Sequence, residues 1–145
     1  MSDNLLTLSD GECLAQLNLL NVGRLCIIED GYPVAFPVNY RVAPGPGGEP
    51  KVVMRTEPAG LLHRPGERVS LEIDGFDPVS DTGWSVVWRG MLHDATKSDD
   101  WVLGNDPHPW IVDQHQWQYI DLHRLSGRRV AHPELTWALS VRGYL

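Results

Sequence analysis

Between Leu8 and Leu20 the apolar residues Cys13, Leu14, Leu17 and Leu20 recur every three to four positions, the spacing that lays one stripe along one face of a helix. Ser9, with Glu12 three residues later, forms a capping box, so the helix starts there and runs to about Leu20, where Asn21-Val22-Gly23 stops it. From Arg24 the period changes to two. Arg24 to Glu29 reads as a strand, Asp30-Gly31 as a hairpin turn, and Pro33 to Tyr40 as the returning strand. One face of that strand carries Val34, Phe36, Val38 and Tyr40, the other Ala35, Pro37 and Asn39. Pro37 has no N–H to give to a ladder, which places the strand at an edge or at a bulge. Two readings stay open there: an ordinary edge, or an edge whose free backbone groups serve a ligand.

The glycine- and proline-rich run Arg41 to Pro50 predicts an exposed loop leading into a short strand, Lys51 to Thr56, that breaks at Glu57-Pro58. A helical turn at Pro58 opens a short segment from Ala59 to Arg64, and a strand from Arg68 to Asp74 and a polar loop from Phe76 to Thr82 follow. Gly83 to His93 is the longest strand, with Trp84, Val86, Trp88 and Leu92 on one face and Ser85, Val87, Arg89, Met91 and His93 on the other. Gly90 inside it marks a bend or the close approach of another backbone. Ser98 to Leu103 predicts a helical turn capped by Ser98, and Trp117 to Ser126 the last long strand, ended by Gly127-Arg128-Arg129. The tail, residues 131–145, alternates weakly and adds a strand or packs on a partner subunit. Strands joined by hairpin turns, with a helix within residues 1–22, predict a mainly β chain: one domain over 1–145, a small antiparallel barrel with peripheral helices.

Composition narrows the function classes. A chain of 145 residues is long enough to bury a core without disulfide or metal staples. Its net charge of −7 and the absence of a basic run argue against a nucleic-acid partner. Cys13 and Cys26 form no Cys-x-x-Cys pair, which fits a reducing cytoplasm. The sequence shows no leader pattern and no apolar run of membrane-spanning length, so a cytoplasmic protein with no membrane partner is expected.

The residues with chemical potential cluster at one strand end. Arg55 offers a fork of donors and Thr56 a hydroxyl, just before a Pro-marked turn whose N–H groups would be free; together they suit a phosphate-type anion. The plainer alternative is that Arg55 pairs with a carboxylate. The six histidines show no metal-ligand spacing, so no metal site is expected. Ser85 and His93 share a strand face but stand too far apart for a nucleophile and its base, and no catalytic residue is assigned. Trp84 and Trp88 on one face serve either as barrel core or as a platform for an aromatic ring.

Val22-Gly23-Arg24-Leu25, Pro33 with Pro37-Val38-Asn39-Tyr40, Arg55-Thr56, Gly83-Trp84-Ser85-Val86-Val87 with Gly90, and Ser126-Gly127-Arg128-Arg129 occur in the order seen in the pyridoxamine 5'-phosphate oxidase-like family of flavin-binding split barrels. The resemblance covers roughly Leu8 to Val130 and is nearest to the small actinobacterial-type branch. It implies a homodimer with FMN, or alternatively a deazaflavin, in clefts between the subunits, and oxidoreductase chemistry on a small molecule. The phosphate would lie against Arg55 and Thr56, and the ring along Pro37, Val38 and Asn39 and near Trp84 and Ser85, with Arg128 also at the site. Where the family commonly has a lysine after its Arg-Thr pair, this sequence has Leu61, so His63 and Arg64 become the candidate replacements for that charge. A non-catalytic relative that carries a cofactor or haem, or has lost flavin binding, is the alternative the resemblance leaves.

Overall fold

Ser9 starts the first helix as expected. Its hydroxyl accepts from the Glu12 N–H at 3.2 Å while the Glu12 carboxylate accepts from the Ser9 N–H at 3.1 Å, closing the capping box on α1 (Asp10–Leu19). The structure is a computed structural model that describes residues 5–95, 99–111 and 114–130. Eight strands accompany α1: β1 (Leu5–Thr7), β2 (Val22–Glu29), β3 (Tyr32–Pro44), β4 (Pro50–Thr56), β5 (Arg68–Asp77), β6 (Thr82–Asp94), β7 (Gln116–Ile120) and β8 (Arg124–Val130). A second, one-turn helix, α2, spans Asp100–Leu103. Apolar spacing alone does not reveal β1, which pairs antiparallel with β8 through Leu5 and Val130.

All pairings are antiparallel, and β6-β5-β2-β3-β4-β7 closes back onto β6. Two long strands make the closure possible by changing partner halfway. β3 pairs with β2 from Tyr32 to Asn39 and with β4 from Tyr40 to Pro44. β6 keeps β5 along one edge, but its other edge pairs with β8 from Gly83 to Arg89 and with β7 from Leu92 to Asp94. The fold is therefore a split antiparallel barrel. Its core is the inward row of each strand, with Leu25, Leu71, Trp88, Leu92 and Ile120 fully buried. α1 packs on it through Cys13 and Leu17, and the Tyr40 hydroxyl donates to the Leu17 carbonyl at 2.7 Å. A smaller cluster of Ala43, Val53 and Val102, flanked by Trp101, Trp117 and Tyr119, seats α2 on the outside of β3, β4 and β7.

Several expectations need correction. The loop predicted over Arg41 to Pro50 is shorter, because Val42 and Ala43 continue β3 into burial against β4. The polar loop predicted from Phe76 is likewise half strand, since β5 runs to Asp77 beside Thr82. Ala59 to Arg64 is not helical: Glu57 to Gly60 and Gly60 to His63 close two consecutive turns, and Ala59 has φ +54°. The strand predicted from Trp117 to Ser126 is two strands with a corner at Asp121–His123. Leu20 is the exposed C-cap of α1 and not part of its buried stripe. Ser98 and the tail after Val130 lie outside the described residues, and α2 has Asp99 at its N-cap position.

Candidate functional site

Where β3 has left β2 for β4, the edge before the switch is unpaired on one side, and Pro37 sits in that stretch. Phe36, Pro37, Val38 and Asn39 there form one wall of a cleft of about 370 Å³. Arg55, Glu57, Leu61 and Leu62 form the second wall, and Pro109, Ile111 and Gln114 the third. The third wall belongs to the segment after α2, and polar contacts fasten it. The Trp110 N–H donates to Asn39 Oδ1 at 2.9 Å, and Asp106 reaches Arg55 Nη1 with both carboxylate oxygens at 3.1 Å. Asn39 Nδ2 is buried with no hydrogen-bond partner, the kind of orphan donor that folded chains seldom leave.

Arg55 and Thr56 leave β4 on opposite faces, as neighbours on a strand must. Arg55 points outward. Its Nε donates to the Gln114 carbonyl at 2.9 Å, and its guanidinium lies 5.0 Å from the centroid of the Trp117 ring. Thr56 points inward, is 1% exposed, and accepts at its hydroxyl from Gln118 Nε2 at 2.7 Å. Burial tends to raise the Asp106 carboxyl, but the His108 N–H and Arg55 outweigh it and hold the group below its ordinary range.

The two candidate replacement cations are engaged elsewhere. His63 Nε2 lies 2.7 Å from Asp94 Oδ1, which also accepts from Gln116. Arg64 donates to the carbonyls of Leu61 and Ile28 and to Glu67, tying the turn to the β2–β3 hairpin. Neither lines the cleft. Leu61 does, and is 40% exposed.

Trp84, Ser85 and Arg128 come together at a different place. They line a second cleft of about 390 Å³ with Leu5, Gly75 and Phe76. Ser85 and Arg128 are directly paired across β6 and β8, and the Trp84 indole covers Gly75, where no side chain would fit. Pro37, Arg24, Glu72 and Val87 form one row across β3, β2, β5 and β6, so three inter-strand steps, roughly 14 Å along the sheet, part Pro37 from Val87, and Ser85 of the second cleft lies two residues from Val87 on β6.

Residues 9–132 match the sequence model of the family described as pyridoxamine 5'-phosphate oxidase. The chain belongs to this family.

Solved structures of similar shape place this member of the pyridoxamine 5'-phosphate oxidase family beside several small bacterial proteins. A conserved protein of unknown function from Corynebacterium diphtheriae is 28% identical with a TM-score of 0.70, over 89% of this chain and 100% of that one. An FAD-binding protein from Mycobacterium smegmatis is 24% identical with a TM-score of 0.65, over 86% and 97%. An FAD-binding protein from Mesorhizobium loti is 23% identical with a TM-score of 0.66, over 88% and 98%. At these last identities the likeness is one of fold. No protein of curated function matches the chain in sequence.

Within this family member, sequence reasoning missed Asp106, Trp110 and Gln114. Their segment carries no period, being rich in Asn, Asp, Pro and His, and its role depends on contacts 51 and 71 residues away in sequence. The one available signal was the exposed apolar pair Trp110 and Ile111, 75% and 68% exposed, in an otherwise polar stretch. Among the described residues no helix is long and apolar enough to cross a membrane.

Proposed function

We propose that this chain binds a flavin with its ring system in the cleft between Pro37–Asn39 and Leu61, and that it acts as a flavin-dependent oxidoreductase on a small molecule. The observation that carries this reading is the cleft itself: apolar walls from Phe36, Val38, Leu62 and Pro109, with one buried and unsatisfied donor, Asn39 Nδ2. That combination suits a flat heteroaromatic ring bearing carbonyl acceptors. Relatives of this shape from Mycobacterium smegmatis and Mesorhizobium loti are FAD-binding proteins, which supports a flavin of some kind. FMN is the form proposed here, with a deazaflavin as the alternative.

The chain's own residues would hold and orient the group. Asn39 is fixed by the Trp110 N–H, so its amide is presented in one orientation. Arg55 spends Nε on Gln114 and Nη1 on Asp106, leaving Nη2 as the donor for an anion. Pro109 and Ile111 screen the cleft from water. The trio Trp84, Ser85 and Arg128 reaches the same ligand only from a second copy, so the proposal includes a homodimer whose two-fold axis brings the two clefts together. A bound flavin would supply hydride or electron transfer, with the protein providing orientation and hydrogen bonds.

The purified chain tests this directly. It should carry the visible band of an oxidised flavin, which a two-electron reductant bleaches, and Asn39→Leu should lower flavin occupancy in a chain that remains folded. A colourless protein that takes up no added flavin would move the reading to the non-catalytic barrel.

A further inference from the structure

We propose that the outer face of the larger sheet holds a second anion site, separate from the Asn39–Arg55 cleft, that takes a phosphomonoester carrying an apolar group. A cleft of about 610 Å³ lies at the β2–β3 hairpin end of that face. Strand register puts its side chains in one row: Cys26 opposite Ser70, Ser70 opposite Arg89, and Arg89 opposite Arg124. Arg68 stands two residues before Ser70 on the same face. Three guanidinium groups, with His123, therefore border one concave surface, and no carboxylate lines it.

This arrangement runs against the chain's own electrostatics. The protein is acidic, with a net charge of −7, and three of its other arginines are neutralised, Arg24 by Glu72 and Asp74, Arg55 by Asp106 and Arg64 by Glu67; Arg41, Arg128 and Arg129 make no ion pair among the described residues either, but no two of them border one cleft. Among the described residues the side chains of Arg68, Arg89 and Arg124 make no ion pair and no hydrogen bond. Arg89 and Arg124 are direct cross-strand partners, whose Cβ atoms stand roughly 5 Å apart, and like charges in that position repel. An anion between them removes the repulsion and converts it into charge-assisted hydrogen bonds. Ser70 adds a hydroxyl at the same point. Ile28 and Pro33 form an apolar border at the far end, which favours a phosphate with a hydrocarbon or aromatic body over the bare ion. The cleft volume falls in the range of small-molecule sites. It shares no lining residue with the Asn39–Arg55 cleft, so this site stands whether or not flavin binds there.

Calorimetric titration of the full chain with phenyl phosphate in phosphate-free buffer tests the proposal. The wild type should bind saturably, and the Arg89→Gln/Arg124→Gln double variant at least tenfold more weakly, while Arg41→Gln, at an exposed arginine that lines neither cleft, keeps wild-type affinity. The double variant should melt at or above the wild-type temperature without ligand, since it loses a repulsive pair, and phenyl phosphate should raise the melting temperature of the wild type alone. Arg68→Gln provides a single-site check of the same loss. The proposal is overturned if the wild type shows no saturable binding, if binding survives the double substitution, or if Arg41→Gln weakens it equally. It is also overturned if the double variant dissociates a wild-type dimer that binds no phenyl phosphate, because the arginines would then serve carboxylates of a second copy.

Discussion

Asp121 is the residue on which the split in the barrel closes. Its carboxylate accepts from the Met91 N–H at 2.7 Å and stands 2.9 Å from His93 Nε2 and 3.1 Å from His123 Nε2, while its carbonyl accepts from the Trp88 indole. Burial would raise this carboxyl, yet the Met91 N–H and the two histidines hold it below the ordinary aspartate value of 3.8. A carboxyl depressed in the folded state stabilises the fold above its unfolded value, and that contribution disappears as pH falls through the folded value. The loss therefore belongs below pH 3.8, and Asp106, depressed in the same direction, adds to it. Asp121→Asn should cost about 1.5–3 kcal/mol at neutral pH and flatten the acid limb of stability against pH. Urea unfolding from pH 7 downward measures both; an unchanged acid limb would show that Asp121 is not the group responsible. At this scale sequence reading reached residues that the fold brings together, but not the contacts they make. Pro37, Asn39, Arg55 and Leu61 do share one cleft. The pairing of Arg55 with Asp106 depends on a segment whose placement no local spacing encodes.

At the scale of elements, the capping box, the hairpin at Asp30-Gly31 and the facing of β6 were legible because each follows from residues within a turn or a single strand. Strand lengths were not. Whether Val42 or Asp77 lies in a strand depends on a partner that long-range pairing brings, and the Asp121 corner interrupts what reads as a continuous apolar alternation. The partner change in β6 was visible only through Gly90. A Cβ at that position would overlap the Asp121 carbonyl and crowd Ile120, so the backbone of β7 can cross there only because the side chain is missing. Gly90→Ala should destabilise by about 3 kcal/mol or more, since backbone and not a flexible side chain would have to move. Gly47→Ala, in open space, should be near neutral by the same chemical denaturation. Equal stability of the two variants would mean that the crossing is looser than described.

At the scale of the whole molecule, one chain places Pro37–Asn39 and Arg55 in one cleft and Trp84, Ser85 and Arg128 in another, three strands away across the sheet. The proposed two-fold dimer would resolve this by letting each copy complete the other's site, and an obligate interface of that kind should bury more than the roughly 1,600 Å² of a standard one. Light scattering should then give twice the chain mass of 16.2 kDa down to micromolar concentration. A single-chain mass throughout would leave the second cleft without a role in flavin binding. The central claim, that the Asn39–Arg55 cleft receives a flavin with its phosphate at Arg55, is tested most directly by calorimetric titration with FMN. Wild type should bind, Arg55→Ala should bind roughly thirty- to a hundredfold more weakly, and Leu61→Lys, which adds a charge at the exposed wall of the cleft, should bind more tightly. If neither wild type nor Leu61→Lys binds FMN, FAD or a deazaflavin, the account is contradicted and the cleft belongs to a barrel without flavin.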